Sequence, residues 1–400
     1  MYKIMSVNAG SSSMKFKLYD MPEETVLTVG ICERIGHDDG IFSIKNKEGK
    51  KITKILPIED HAVAVKLIMN GLIEQGIIKS LNEIKGVGHR IVQGGPYFAD
   101  SALMTKDTED KIESLIPLAP LHNGPHLIGF RAFKKALPNV GQVAVFDTAF
   151  HQTMEPADYL FPIDPKYYEK YKCRRYGAHG TSHKYLSEIA IKKYLNNKKD
   201  TRIITCHIGS GASLAAIKDG KVVLTSMGLT PLGGIMMGTR TGDMDPSVFN
   251  YLVTSTGKSA EEIFQEFNKE SGLLGVSQVS NDTRDIAKAA NEGNKQAQLA
   301  IKMWARKLAQ FLASYACRLG RVDLIVWSAG VGENSSDYRQ AAIDECSEYM
   351  GLKLDPVKNE KTIHGAEGYI SSDDSSIPMV VIPTDEEIMI ARDTVRLLKL

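Results

Sequence analysis

The chain has 400 residues, 43% hydrophobic and 24% charged, with 49 basic side chains against 48 acidic ones. That length is too great for one core and suits two domains, and the near-cancelled charge argues against nucleic acid or an anionic membrane as partner. No apolar run approaches membrane-spanning length and the start has no signal-peptide core. Five cysteines without a CxxC pair read as reduced thiols, so a cytoplasmic enzyme is expected.

The chain opens with a strand, Ile4-Met5-Ser6-Val7, a Gly/Ser turn at residues 8–13 and an alternating strand in which Met14, Phe16 and Leu18 face inward. Lys15 on that strand reads either as a solvated lysine or as a charge beside a phosphate held by the turn. Residues 61–76 carry helical spacing, and residues 86–92 form a strand ending at Gly94-Gly95-Pro96. Arg90 stands just before that end, as a strand-edge ion pair or as an anion ligand. After the loop at residues 118–125 comes a helix, then a buried strand that delivers Asp147 at its C-terminal end, the edge where open α/β sheets bind ligands.

Prolines and tyrosines from Pro156 onward mark a crossing into a second domain. His179 and His183 lie four apart, but Gly180 interrupts the turn and no zinc-hydrolase glutamate accompanies them. Zinc is rejected; His179 is read as a donor to an anion or as a capping or core histidine. Residues 203–217 then repeat the opening pattern of strand, turn and strand, with Gly209-Ser210-Gly211 in place of the Gly/Ser turn. The repeat suggests duplicated domains. Two glycines around a serine let backbone amides approach a phosphate, and Arg240 in a glycine-rich stretch can reach an anion with a bidentate fork. Cys206 is read as a buried strand thiol, not a nucleophile.

A long apolar stripe follows, made of Leu299, Met303, Trp304, Leu308, Phe311, Leu312, Tyr315 and Leu319; it is read as core or subunit interface. The strand at 323–327 leads into a third Gly-rich turn, Gly330-Val331-Gly332-Glu333-Asn334, able to take a nucleotide at a helix N-terminus though it is no Walker loop. At the C-terminal end, Thr384 as N-cap with Glu387 at N3 would make a capping box, leaving Glu386 for magnesium.

In combination, Asn8-Ala9-Gly10-Ser11-Ser12-Ser13-x-Lys15, Gly88-His89-Arg90, Pro117-Leu118-Ala119-Pro120-Leu121-His122-Asn123 and Phe146-Asp147-Thr148-Ala149-Phe150-His151 resemble the acetokinase family. So do His179-Gly180-Thr181-Ser182-His183, Gly238-Thr239-Arg240-x-Gly242-Asp243, Ala329-Gly330-x-Gly332-Glu333-Asn334 and Pro383-Thr384-x-Glu386-Glu387. Their order spans essentially the whole chain.

The resemblance implies an α/β fold of two duplicated ribonuclease H-like domains with mixed β-sheets and an interdomain active-site cleft. It is the fold of the acetate and sugar kinase, heat-shock ATPase and actin superfamily. Residues 1–150, completed by the helix at 384–400, would form the N-terminal acyl and metal domain. Residues 151–383 would bind nucleotide and dimerise. The implied reaction is reversible, Mg²⁺-dependent phosphoryl transfer between ATP and acetate, giving acetyl phosphate and ADP, with Mn²⁺ able to replace Mg²⁺. Asn8 and Glu386 would serve the metal, and Arg90, Asp147, His179 and Arg240 catalysis. Lys15, His207, Ile208, Gly209, Ser210, Gly211, Asp282, Thr283, Arg284, Gly330, Val331, Gly332, Glu333 and Asn334 would serve the nucleotide. Arg90, Val92, Leu121, Ala178 and Pro231 would hold the acyl group.

Charge-dense phosphoryl transfer needs cations to neutralise and align, which these residues supply. Acetate is already ionised, so the physical reading has Asp147 orient an arginine or a metal-bound water, whereas the resemblance makes it the acid/base. Ser210, Ala178 and Asp385 depart from the family's usual asparagine, phenylalanine and asparagine. Two rivals stand beside this reading: a short-chain acid kinase preferring propionate, and a non-kinase actin- or chaperone-like ATPase.

Overall fold

The computed structural model describes residues 1–400 and divides into two compact units, residues 1–150 with 385–400, and residues 151–384. No helix is long and apolar enough to cross a membrane.

In the first unit, β1 (Tyr2–Ala9), β2 (Ser13–Met21), β3 (Thr25–Glu33), β4 (His37–Lys45) and β5 (Lys51–Ile58) form an antiparallel meander. Helix α1 (His61–Glu74) leads to β6 (Ile84–Ile91), parallel to β1, then to β7 (Ala102–Leu103), helix α2 (Asn123–Ala136) and β8 (Gly141–Phe146), parallel to β6. The sheet order is β5-β4-β3-β2-β1-β6-β8-β7. Met14, Phe16 and Leu18 face inward as the alternation requires, packing with Phe42, Ile68, Leu72 and Phe133 under α1 and α2. The C-terminal helix (Glu386–Leu398) covers the other face. A Cβ on Gly88 would fall 2.4 Å from Ile390 Cγ2, and one on Gly141 2.4 Å from Leu398 Cδ2, so bare glycines let this helix lie directly on the strands.

The second unit repeats the pattern. Helix α3 (Gly180–Ile189) precedes the antiparallel strands β9 (Arg202–Ile208), β10 (Ala212–Lys218) and β11 (Lys221–Thr225). Helices α4 (Pro246–Thr256), α5 (Gly272–Ser277) and α6 (Lys295–Leu319) lead to β12 (Leu324–Ser328), helix α7 (Ala329–Asn334), β13 (Gly368–Tyr369) and β14 (Met379–Val381). The order β11-β10-β9-β12-β14 matches β3-β2-β1-β6-β8 strand for strand and sense for sense, with β13 as an antiparallel edge matching β7. The duplicated architecture is thus direct.

In β9 and β10 the side-chain alternation sorts chemistry. Ile204, Cys206, Ile208, Ala212, Leu214 and Ala216 join the core with α6, leaving Thr205, His207 and Ser213 on the opposite face. The apolar stripe of α6 divides: Trp304, Leu308, Leu312, Tyr315 and Leu319 are buried, while Leu299 and Met303 are 46% and 44% exposed. Most of the stripe is core; Leu299 and Met303 lie on a different side of the helix from the buried Ala297, Ala300 and Trp304, and for them the interface alternative stands.

Candidate active site

In the first unit the turn after β1 is fixed from two sides. Gly10 N–H donates to Ser13 O at 2.7 Å, His61 Nε2 donates to Gly10 O at 2.8 Å and His126 Nδ1 donates to Ala9 O at 2.6 Å. Asn8, the last polar residue of β1, is half-buried there, and Lys15 on β2 is exposed. Burial, helped by the Arg90 charge, pushes the His126 imidazole down to about 3, so it stays neutral.

Arg90 and Asp147 stand at the C-terminal ends of the parallel neighbours β6 and β8. Because Arg90 pairs with Val145 in register, Asp147, two residues on, projects to the same face. The guanidinium forks onto the carboxylate, Nε to Oδ1 at 3.0 Å and Nη2 to Oδ2 at 2.7 Å. Burial works against the Arg90 charge, but the carboxylates of Asp147, Glu386 and Glu387 outweigh it and leave its pKa raised. Next to it, Asn123 locks the backbone after β6: Gln93 N donates to Asn123 Oδ1 at 3.1 Å and Asn123 Nδ2 donates to Gln93 O at 2.9 Å. Val92 is buried, whereas Leu121 is 57% exposed.

The expected capping box is absent. Asp385, not Thr384, is the N-cap of the C-terminal helix, its carboxylate accepting from Ile388 N at 3.1 Å. Asparagine-like N-capping is available to aspartate as well, so the helix starts one residue later and Glu387 falls at N2. Glu387 instead takes an ion pair with Lys17 at 3.1 Å, and Lys17 also reaches Asp385 at 3.3 Å. Glu386 is left at N1, without a salt bridge. Burial, and the nearby charges of Asp147, Glu387 and Asp385, push it up to about 7 despite Arg90.

In the second unit, His179 is the N-cap of α3 with φ +57, and Ala329, opening α7, has φ +65. Two non-glycine residues in the left-handed region thus stand at the entry of two candidate ligand turns, where such strain concentrates. Beyond β9, a Cβ on Gly211 would lie 3.3 Å from Arg240 Nη1 and 3.5 Å from His179 Nε2. The glycine therefore leaves a small space onto which a guanidinium and an imidazole converge. Arg240 makes no ion pair; Nη1 donates to Pro231 O at 3.3 Å, and burial lowers its pKa. Its loop is anchored by Gly272 (φ +62), where a Cβ would meet Met237 O at 2.2 Å and Arg240 O at 2.6 Å, so only glycine fits. The rings of His179 and His207 stack at 4.1 Å. Ala178 is buried in the core cluster, its carbonyl accepting from His151 Nε2 at 2.9 Å.

The remaining candidates are locally engaged. Asp282 caps the helix at Thr283 and grips Arg284, Nε to Oδ1 at 3.0 Å and Nη2 to Oδ2 at 2.5 Å, which lowers its pKa to about 2. Glu333 Oε1 accepts from Ala329 N at 2.7 Å and Thr384 N at 3.1 Å, tying α7 to the chain before the C-terminal helix. Asn334 Nδ2 donates to Gly330 O at 2.9 Å, and the buried Arg339 donates to Gly332 O at 2.8 Å. Ser210 O accepts from Gly238 N at 3.3 Å. Cys206 is fully buried and its thiol pKa is pushed up by that burial, which suits a packing role.

The Acetokinase family pattern matches residues 3–392 of this chain. The chain belongs to the acetokinase family. An acetate kinase of Bacillus subtilis (strain 168) is 51% identical over 399 residues, covering 100% of both chains. The crystal structure of Porphyromonas gingivalis acetate kinase superposes with a TM-score of 0.93 at 43% identity, covering 100% of each chain. A propionate kinase from Francisella tularensis gives 0.93 at 39% identity, covering 99% of this chain and 100% of its own.

Asn123 in the first unit, and Thr205, Ser213 and Ser182 in the second, are hydrogen-bonding groups that sequence reading passed over. Each lies fully buried on the face of a strand or helix. A buried hydroxyl or amide on such a face demands a partner, and that is the signal by which they could have been found.

Proposed function

We propose that the protein is an ATP:acetate phosphotransferase, moving the γ-phosphoryl group of ATP reversibly onto acetate to give acetyl phosphate and ADP. The observation that carries this is the space at Gly211, faced by an Arg240 guanidinium without a carboxylate and by the His179 ring. A half-buried arginine left unpaired by the protein is a receptor for an anion. His179 and Arg240 hold the transferring phosphoryl group, and Arg90 holds the carboxylate of the acid. Asp147 orients Arg90, as its two-point grip suggests, and no strong base is needed for an acceptor already ionised. Val92, Leu121, Ala178 and Pro231 are the residues assigned to the methyl group of the acid in this reading.

Lys15, the turn from His207 to Gly211, the residues Asp282, Thr283 and Arg284, and those from Gly330 to Asn334 take the nucleotide. Magnesium would be held by the Asn8 amide oxygen and the Glu386 carboxylate. These are hard oxygen donors, and no cluster of three or more His, Cys, Asp or Glu side chains offers a full protein cage. That poverty suits Mg²⁺, which keeps waters and substrate phosphates as its other ligands. The cation supplies charge neutralisation to the phosphates; the crowded carboxylates around Glu386 provide the negative field that attracts it.

The protein acts as a cytoplasmic homodimer in this proposal. All five cysteines are free. Helix α4 buries none of its residues although it carries Val248 and Tyr251, 38% and 67% exposed, an apolar face suited to a second copy. Trapping the product as acyl hydroxamate decides the activity. Acetate should give hydroxamate with ATP, whereas glucose and acceptor-free controls should not; ATP turnover without hydroxamate would favour a non-kinase ATPase.

A further inference from the structure

The face of β9 and β10 turned away from the core carries a chain of buried hydrogen bonds behind His179. Thr205 Oγ1 lies 2.7 Å from His183 Nδ1, His183 Nε2 lies 2.8 Å from Ser213 Oγ, and Ser213 Oγ lies 2.8 Å from His179 Nδ1. Thr205, His183 and Ser213 are each 0% exposed. The i, i+4 relation of His179 and His183 at the start of α3 brings both rings onto one serine hydroxyl, not onto a metal.

From this geometry we propose that Thr205, His183 and Ser213 are positioning residues that fix which nitrogen of His179 carries its proton. The proposal rests on the phosphotransferase reading for its meaning in catalysis, but not for its structural content.

The reasoning is a count of hydrogens. Burial, with His151 and His207 close by, holds the His183 imidazole well below its ordinary pKa, so it is neutral and has one donor and one acceptor nitrogen. Ser213 has one hydroxyl hydrogen and faces two ring nitrogens; accepting from both would strand that hydrogen in a fully buried place, so it donates to one and accepts from the other. Thr205 has one hydroxyl hydrogen, and His183 Nδ1 is the acceptor the structure gives it. If Thr205 donates to Nδ1, then His183 Nε2–H donates to Ser213 Oγ, and Ser213 donates to His179 Nδ1. Every hydrogen in the chain is used. In the reverse arrangement the buried Thr205 hydroxyl keeps a hydrogen with no acceptor, which buried donors avoid.

The favoured direction leaves His179 with its proton on Nε2. That is the nitrogen 3.5 Å from the space at Gly211 that Arg240 also faces. His179 therefore presents an N–H donor to a phosphoryl oxygen without having to be charged. The opposite tautomer would present a lone pair to an anion and repel it. No covalent step is involved; the chain sets a hydrogen-bond direction before substrate arrives.

The test reads the tautomer directly. Long-range ¹H–¹⁵N spectra of the full-length enzyme labelled at histidine, with His179→Gln to assign the signal, should show His179 protonated at Nε2. Ser213→Ala and Thr205→Val should each populate the Nδ1–H form and lower kcat about ten-fold, with KM for ATP and acetate within two-fold of the parent. Thr205→Ser keeps the hydroxyl and should restore both spectrum and kcat. A parent His179 protonated at Nδ1, or substitutions that leave tautomer and kcat unchanged, overturns the proposal. A parent that shows the Nε2–H signal yet forms no acyl hydroxamate sinks the phosphotransferase reading alone.

Discussion

The two units place one key arginine each, in opposite electrostatic settings. Arg90 is clamped by Asp147 in a two-point ion pair with further carboxylates nearby, so its charge is reinforced and its orientation set in advance. Arg240 is desolvated, faces backbone and sulfur, and has no carboxylate at all. The same duplicated sheet thus yields a pre-aligned cation in one copy and an unneutralised one in the other. The first suits a small carboxylate that must be held at a fixed angle. The second suits a phosphoryl group whose charge must be met without competition from the protein.

The largest effect should come from deleting the cations. Arg240→Ala and Arg90→Ala are each expected to lower kcat by about 10²–10³ in folded protein. The comparison sharpens if Arg240→Ala chiefly lowers kcat while Arg90→Ala also raises KM for acetate. Near-parent kinetics in either variant removes that arginine from the mechanism.

Acid probes the first unit next. Unfolded imidazoles protonate near pH 6.5, while burial lowers His89, which donates to Gln142 at 2.7 Å, to about 4. Between these values the unfolded chain binds the extra proton. This contribution is therefore intact above about pH 6.5 and lost as pH falls toward about 4, amounting to roughly 2–3 kcal/mol. His89→Gln should flatten that loss in urea melts at pH 7 and pH 4.5; an unchanged slope would show that His89 does not set acid sensitivity.

Around the C-terminal helix, Glu386→Gln should raise the Mg²⁺ concentration for half-maximal rate several-fold. Glu387→Gln should leave it near the parent value and cost about 0.5 kcal/mol through the lost Lys17 pair. The reverse pattern would transfer the metal role to Glu387.

The smallest effect concerns acid size. Ala178→Phe is expected to lower kcat/KM for propionate relative to acetate by about ten-fold, the scale of one or two methylenes' worth of discrimination. An equal loss for both acids would instead reflect the ring's intrusion into the core cluster that holds Ala178.

Much of this was legible in the chain. The period-2 alternation of Met14, Phe16 and Leu18, the strand–turn–strand repeat and the glycine turns follow from local sterics and burial, which any neighbouring stretch of residues already expresses. Arg90 before the glycine end of a strand, Asp147 at the C-terminal end of another and Arg240 in a glycine-rich stretch are charges in places where a core role is hard to assign. The meander β3 to β5 did not stand out. Its exposed lysines and Ile55, 73% exposed, blur the alternation on a sheet edge, where only pairing with β2 makes the strands. Tertiary structure alone decided the rest. Thr384 and Asp385 are adjacent candidates for the cap; the Thr384 hydroxyl meets Ser182 Oγ at 2.8 Å, and Asp385 takes the cap. Asp147 meets Arg90 because two distant strands are in register. Thr205, His183, Ser213 and His179 form one chain because α3 lies on the polar face of β9 and β10. Hydrogen-bond direction depends on where each buried group's partner sits, and one-dimensional order does not carry that information.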